Sequence, residues 1–426
     1  MKTPPPSHSI FLAWLAGCIV AAWATGVVLV LLVDPYGLYG LLTVEGLNSI
    51  KPGLTRYLNE IKLTHAARLR PNTIILGNSR AEIGFDPESP VFTRNHQSTY
   101  NLAISATSIS TSRSQLDYLH HIGAPPKNII LGIEFLDFLL ARSTVPNEPS
   151  SKALSDEHPV NRLFWRFDSL SSLTSIVDAL RTLRIQHNNE AITMTSRGFN
   201  PLKEYQAYVR NDGYYVMFRQ RALENAKRYL TKSKEVKGFK NTNHLQALLD
   251  MAANDNINVK LIIYPYHAQN LALFEETGLW PAFEAWKEML ITEVTAARLR
   301  HPNASIELFD FSGFGGYRCE RIPPKEDHRN VSRWYWEAGH FKKELGDIVL
   351  SRVYFPASES KGSLDKNKDT LTDFGTQLDA TTRIANQKRI AREREECATQ
   401  YPELFLEAAG IVASVGRKDE EIHHFP

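Results

Sequence analysis

Thr73-Ile74-Ile75-Leu76-Gly77-Asn78-Ser79-Arg80 sets a short apolar run directly before a glycine-led turn. Four β-branched or aliphatic residues followed by a turn signal read as a short strand buried on both faces. Gly77 permits a tight turn, and a helix beginning around Arg80 places Ser79 where strand hands over to helix. In an open parallel sheet, ligands bind outside the carboxyl ends of the strands, so Ser79 stands at the productive edge. Working outward, similar runs recur at Tyr100–Ile104, Asn128–Ile133, Asn258–Tyr264 and Ser305–Asp310. Helical stripes lie between them, Leu245, Leu248, Leu249 and Ala252 in one and Phe283, Trp286, Leu290, Val294 and Ala297 in another. Strand–helix alternation predicts an α/β domain, a mostly parallel five-stranded sheet with helices on both faces.

The 426 residues are 43% hydrophobic and 23% charged, a globular composition that excludes disorder, collagen repeats and a small disulfide scaffold. Forty-nine Lys and Arg against forty-seven Asp and Glu leave a net charge of +2, without the basic excess of a nucleic-acid partner. Of the three cysteines, Cys18 lies in an apolar run. Cys319 and Cys397 are the only pair that could bridge; their spacing fits no zinc pattern, and they are expected to stay unpaired.

From Ile10 to Val33 no residue is charged. A helix of that length reaches about 36 Å, enough to cross a hydrocarbon core of roughly 30 Å. Ala22-Trp23-Ala24 imitates a signal-peptidase site, but seven of the nine residues after Ala24 are apolar, so an uncleaved anchor is expected. Lys2 precedes the span, whereas Asp34 to Ile50 holds no Lys or Arg. The positive-inside rule then keeps residues 1–9 cytoplasmic and exports the bulk of the chain to the periplasmic side of the cytoplasmic membrane.

The expected organisation is a connector over residues 34–70, the α/β domain over 71–355, and a charged tail over 356–426. A polar, helical insertion at about 141–240 interrupts the alternation and is read as covering one end of the sheet. The tail opens with a polar linker at 357–370, and its run Lys388–Glu396 reads as a solvated surface helix.

The chemistry begins at Ser79, a nucleophile if a histidine takes its proton. Trp334-Tyr335-Trp336-Glu337-Ala338-Gly339-His340-Phe341 supplies one. An acid three residues before the histidine can accept from its Nδ1–H and leave Nε2 as the base. Asp310, at a strand end, and Asp327 are alternative acids. Tyr266, Trp334, Tyr335 and Trp336, with Arg80 beside the serine, are candidates for lining a substrate groove. His328, Asp327 and His340 lack the helical i,i+4 spacing of a metal site, and neither metal nor cofactor is expected.

The blocks GNSR, YNLAISATS and WExxHF together resemble the SGNH (GDSL-like) hydrolase superfamily, in particular its membrane-anchored bacterial branch of alginate O-acetylation and teichoic-acid D-alanyl transfer proteins. The resemblance covers roughly residues 10–355. It implies a flavodoxin-like three-layer domain behind one transmembrane helix. By carry-over Ser79 is the nucleophile, His340 the base and Glu337 the orienting acid. It further implies esterase or O-acyltransferase chemistry on a cell-envelope or exported polysaccharide, with a multi-pass membrane partner delivering the acyl donor. The sequence departs from the family where the second block offers Ala103 and Ala106 in place of Gly, and where Gly132-Ile133-Glu134 stands for the third-block Asn. Asn78 or Asn101 could then supply a side-chain oxyanion donor. The alternative function is a catalytically silent glycan-binding or scaffold protein on the same fold.

Overall fold

The uncharged run folds as one helix, α1 (His8–Val33), in a computed structural model that describes residues 8–51, 54–141, 159–234, 236–327, 329–355 and 374–423. Among the described residues it is the single helix long and apolar enough to cross a membrane. Its residues 8–25 are exposed throughout. Asp34 ends it with a φ of 48°, and its carboxylate accepts from the backbone N–H groups of Leu38, Tyr39 and Gly40 at 2.7–3.0 Å.

In chain order the further principal helices are α2 (Ser79–Gly84), α3 (Ile109–His121), α4 (Pro159–Ser171), α5 (Leu173–Arg184), α6 (Lys203–Ser233), α7 (Thr242–Asn254), α8 (Ala268–Glu276), α9 (Trp280–Arg300), α10 (Lys343–Tyr354), α11 (Arg383–Gln400) and α12 (Pro402–His423). The strands of the main sheet and of the hairpin near its edge are β1 (Thr73–Leu76), β2 (Thr99–Asn101), β3 (Asn128–Ile133), β4 (Asn258–Ile263), β5 (Ile306–Asp310), β6 (Tyr335–Glu337), β7 (His340–Phe341) and β8 (Thr376–Gln377); Leu139–Ala141 and Val236–Phe239 form a separate antiparallel pair. The chain forms two compact units, Met1–His65 with Leu154–Met194, and Ala66–Ala153 with Thr195–Pro426. The stretch read as one insertion is therefore divided: α4 and α5 join the unit of α1, whereas α6 belongs to the unit of the sheet.

The sheet has six strands in the order β8-β5-β4-β3-β1-β2. All pairs are parallel except β8 with β5, which sets Thr376 opposite Asp310. Ile74, Ile75, Leu76, Ile129, Ile130, Leu131, Leu261 and Ile262 are fully buried, which is why these strands read as continuous apolar runs rather than alternating ones. From β1 the chain goes to β2 on one side and β3 on the other. The strand order thus reverses between β1 and β3, and the crevice beyond their carboxyl ends is where such sheets bind ligands.

The sixth strand comes from the segment read as a tail, and that reading is corrected. The linker at 357–370 lies outside the described residues, but the chain that follows is part of the fold. Helix α11 buries Asn386, Arg389, Ile390, Glu393 and Cys397, and Cys397, expected to stay unpaired, instead forms a disulfide with Cys319 across a separation of 78 residues because α11 packs back onto the loop after β5. Glu393 accepts from Arg318 at 2.8 Å and from the Phe314 and Gly315 N–H groups, while Arg389 donates to it and to the Ser312 carbonyl. Charges of a run that looks solvated in sequence are here paired in the interior, where each partner offsets the desolvation of the other.

Candidate active site

The turn after β1 is fixed by close packing. Gly77 has a φ of 138°, and a Cβ there would sit 2.7 Å from the Tyr264 hydroxyl and 2.9 Å from the Gly132 carbonyl. Asn78 caps α2, its Oδ1 accepting from the Arg80 N–H at 3.1 Å, and Ser79 becomes the first residue of that helix. At the other end of the domain β6 and β7 form a hairpin whose register sets Glu337 opposite His340. The two sequence-distant segments meet: His340 Nε2 lies 2.8 Å from Ser79 Oγ, and Nδ1 bonds Glu337 Oε1. Helix contact seals the meeting. A Cβ on Gly346 of α10 would overlap the Gly84 carbonyl of α2, and one on Gly84 would overlap the Phe341 ring.

Protonation follows from the partners. Glu337 is 1% exposed. Burial alone would raise its carboxyl, but the His340 ring, Arg221 and the Gly339 N–H hold it down at about 2. Gly339 N donates to Oε2 at 2.6 Å, and Arg221 Nε stands 3.2 Å from the same oxygen. An ionised carboxylate only accepts, so in the neutral imidazole the proton sits on Nδ1 and Nε2 is the acceptor for the Ser79 hydroxyl. This is the tautomer that a general base needs. Arg221 escaped sequence analysis because nothing in the polar helical run FRQRALENAKR marks one arginine above another.

The other candidates divide. Asp310 is fully buried, paired with Lys287 at 3.1 Å and bonded by Asn386 at 2.7 Å, so it serves the α9–β5–α11 network rather than His340. Asp327 accepts from the Arg329 and Asn330 N–H groups in an exposed turn, and His328 lies outside the described residues. Asn101 is buried and spent: its amide donates to the Ala81 and Phe85 carbonyls, each at 2.9 Å, and its oxygen accepts from the Ala103 N–H. Both Asn101 and Ala103 are therefore committed to holding α2 against β2. The Ile104 N–H goes to the Gly77 carbonyl and that of Ser105 to Glu82. Ala106 follows, exposed and with a φ of 59°. This left-handed conformation costs Ala roughly 1–2 kcal/mol.

Arg80 points inward instead of lining a groove, pairing with the buried Glu134 and stacking over Tyr266 at 5.0 Å. Burial alone would lower its pKa, but Glu134 and neighbouring tyrosines raise it. The Glu134 charge is thus neutralised in place. Tyr266 is buried and donates to Glu134 at 3.2 Å, and Tyr335 is buried and donates to the Pro265 carbonyl at 2.9 Å. Trp334 packs edge-on against Tyr317. Of the four aromatics only Trp336 joins a side-chain cluster bordering the acid, facing Tyr205, which in turn meets the half-exposed Tyr208 and is bonded by Arg221. Lys342 lies 4.6 Å from the Trp336 ring and donates to Tyr214 at 2.6 Å, its pKa pushed down to about 8 by burial. A Cβ at Gly132 would overlap the Tyr264 ring, so only glycine lets that tyrosine lie against β3.

No protein-family model, curated protein or solved structure matches this chain. Among the described residues no group of three His, Cys, Asp or Glu could hold a metal ion. A hydroxyl, an imidazole of defined tautomer and a buried carboxylate in hydrogen-bonded sequence can deprotonate the serine and accept an acyl group upon it.

Proposed function

We propose that the protein is a membrane-anchored serine esterase or O-acyltransferase of the SGNH type, acting on an exported or cell-envelope polysaccharide. The observation that carries the reading is the 2.8 Å contact between Ser79 Oγ and His340 Nε2, with ionised Glu337 behind the ring. The strand order, with its reversal between β1 and β3 beside Ser79, supports a flavodoxin-like sheet.

In this mechanism Ser79 Oγ attacks an ester carbonyl as its proton passes to Nε2, and the imidazolium is stabilised by Glu337. The carbonyl oxygen becomes an oxyanion beside the Ser79 N–H, one of the first-turn donors that α2 cannot satisfy internally. Collapse breaks the bond to the leaving alkoxide, which takes the proton from Nε2, and leaves an acyl-Ser79. Water or a sugar hydroxyl, deprotonated by the same nitrogen, then attacks the acyl carbonyl and releases Ser79. The Trp336–Tyr205–Tyr208 cluster is a stacking surface suited to a sugar acceptor. An extracytoplasmic site needs its acyl donor carried across the membrane, which is the role of a multi-pass partner. A C-terminal reporter fusion tests that orientation: exported activity is expected, and cytoplasmic activity would overturn it.

Engagement of Asn101 and Ala103 favours the other reading, a silent glycan-binding or scaffold protein. A serine-reactive fluorophosphonate separates the two. Labelling of the full chain in detergent, lost in Ser79→Ala and His340→Ala, is expected of the enzyme. Absence of labelling with polysaccharide binding retained would establish the binder.

A further inference from the structure

The unit of α1 carries an apolar surface that the acyl-transfer reading leaves unexplained. Helix α1 packs against α5 near its carboxyl end, with a Cβ on Gly26 overlapping Ile176. Val30, Val33 and Ala179 form a buried cluster with Leu29, Leu170, Ile176 and Leu183 around them. Farther along, Gln186 bonds Ser49 and the Ile50 N–H, close to Asn48, which donates to the Leu32 and Val33 carbonyls. The contacts advance together along both helices, so α5 runs beside the last two turns of α1 in the same direction.

Its opposite face is bare. Leu173 is 82% exposed and Val177 61%, with Leu180, Arg181 and Arg184 exposed on the same side. At 100° per residue these five fall within about 100° of arc. The apolar members lie at the amino end and the arginines at the carboxyl end. The only carboxylate of α5, Asp178, is turned off this stripe to accept from Tyr36 at 2.7 Å. Phe167 on α4 is 60% exposed, and the loop after α1 turns Leu41, Leu42, Val44 and Leu47 outward.

Depth decides what covers this face. Gly26 lies sixteen residues after Ile10, about 24 Å along the helix and less than the roughly 30 Å of hydrocarbon that α1 would cross. Tilting α1 only lowers Gly26. Raising Gly26 out of the hydrocarbon would drag Ile10 about 6 Å inward and pull Ser9 and His8 into lipid. Gly26 therefore lies below the outer hydrocarbon boundary, and so does Ile176, which packs on it.

We propose that α5 is embedded in the membrane beside the last turns of α1 as a collar. Leu173, Val177 and Leu180 sit among phospholipid acyl chains of the outer leaflet, and Arg181 and Arg184 lie among the headgroup phosphates. The proposal rests on α1 being the membrane span. The collar holds the emerging chain at fixed depth, in place of a helix that swivels freely at the surface.

Spin labels on single cysteines test it, with the full chain in phospholipid nanodiscs, Cys18→Ala as background and the Cys319–Cys397 disulfide intact. Labels are placed at Val20 in α1, at Leu173 and Val177, and at Asn189 beyond the basic end. Collision with oxygen exceeding that with a water-soluble nickel chelate at 20, 173 and 177, and the reverse at 189, is expected. A lipid-like result at 20 with water-like results at 173 and 177 would overturn the collar and leave the anchor standing. Water-like behaviour at 20 as well would overturn both.

Discussion

Replacing Glu337 by Gln probes the triad with almost no change of shape. Gly339 N–H and Arg221 both face Oε2, so they fix the Gln oxygen at that position. The amide NH2 is then left where Oε1 was, facing His340 Nδ1. Because an NH2 group only donates, Nδ1 must accept, and the imidazole proton moves to Nε2, opposite Ser79 Oγ. The base is then protonated where it should receive. A wrong tautomer of this kind costs on the order of 10⁴ in kcat. A carboxyl held at about 2, against its usual 4.5, favours the charged folded form, so a stability loss on the order of a few kcal/mol accompanies the substitution. Hydrolysis of a chromogenic acetyl ester by the full chain, with KM and kcat resolved and thermal unfolding measured alongside, gives both quantities. A fall in kcat at nearly constant KM is expected, and kcat within about tenfold of the parent would refute the orienting role of Glu337.

Three further outcomes follow from the packing and charges. Gly346→Ala, whose Cβ would meet the Gly84 carbonyl, should push α10 from α2, costing about 1–3 kcal/mol in melting experiments and lowering esterase activity by disturbing the Ser79–His340 contact. Cys397→Ser should cost about 2–4 kcal/mol, and reductant should lower the melting temperature of the parent but not of the variant. Because Glu337 is depressed on folding, its contribution is full above pH 4.5 and is lost as pH falls toward about 2. Acid titration of unfolding should show a shallower fall in Glu337→Gln than in the parent over that window.

Strand positions were legible because burial on both faces leaves runs such as Thr73–Leu76 and Asn128–Ile133 without polar interruption. Ser79, His340 and Glu337 were legible because a turn serine and an acid three residues before a histidine are local patterns. What stayed hidden is long-range pairing. Arg389 and Glu393 look like members of a solvated charge run until Arg318 and the Phe314 and Gly315 N–H groups are brought to them. Asn101 looked available as an oxyanion donor because its acceptors, the Ala81 and Phe85 carbonyls, are set by how α2 folds back over β2. The two-residue strand Thr376–Gln377 carries no periodicity to read and exists through its pairing with β5.

In the proposed mechanism Ser79 carries an acyl group during turnover. Rapid quenching of the full chain with a chromogenic acetyl ester, followed by peptide mass mapping, measures this directly. An acetyl mass increment on the peptide holding Ser79, absent in His340→Ala, is expected; hydrolysis without such an increment, or an increment on another residue, would contradict the mechanism.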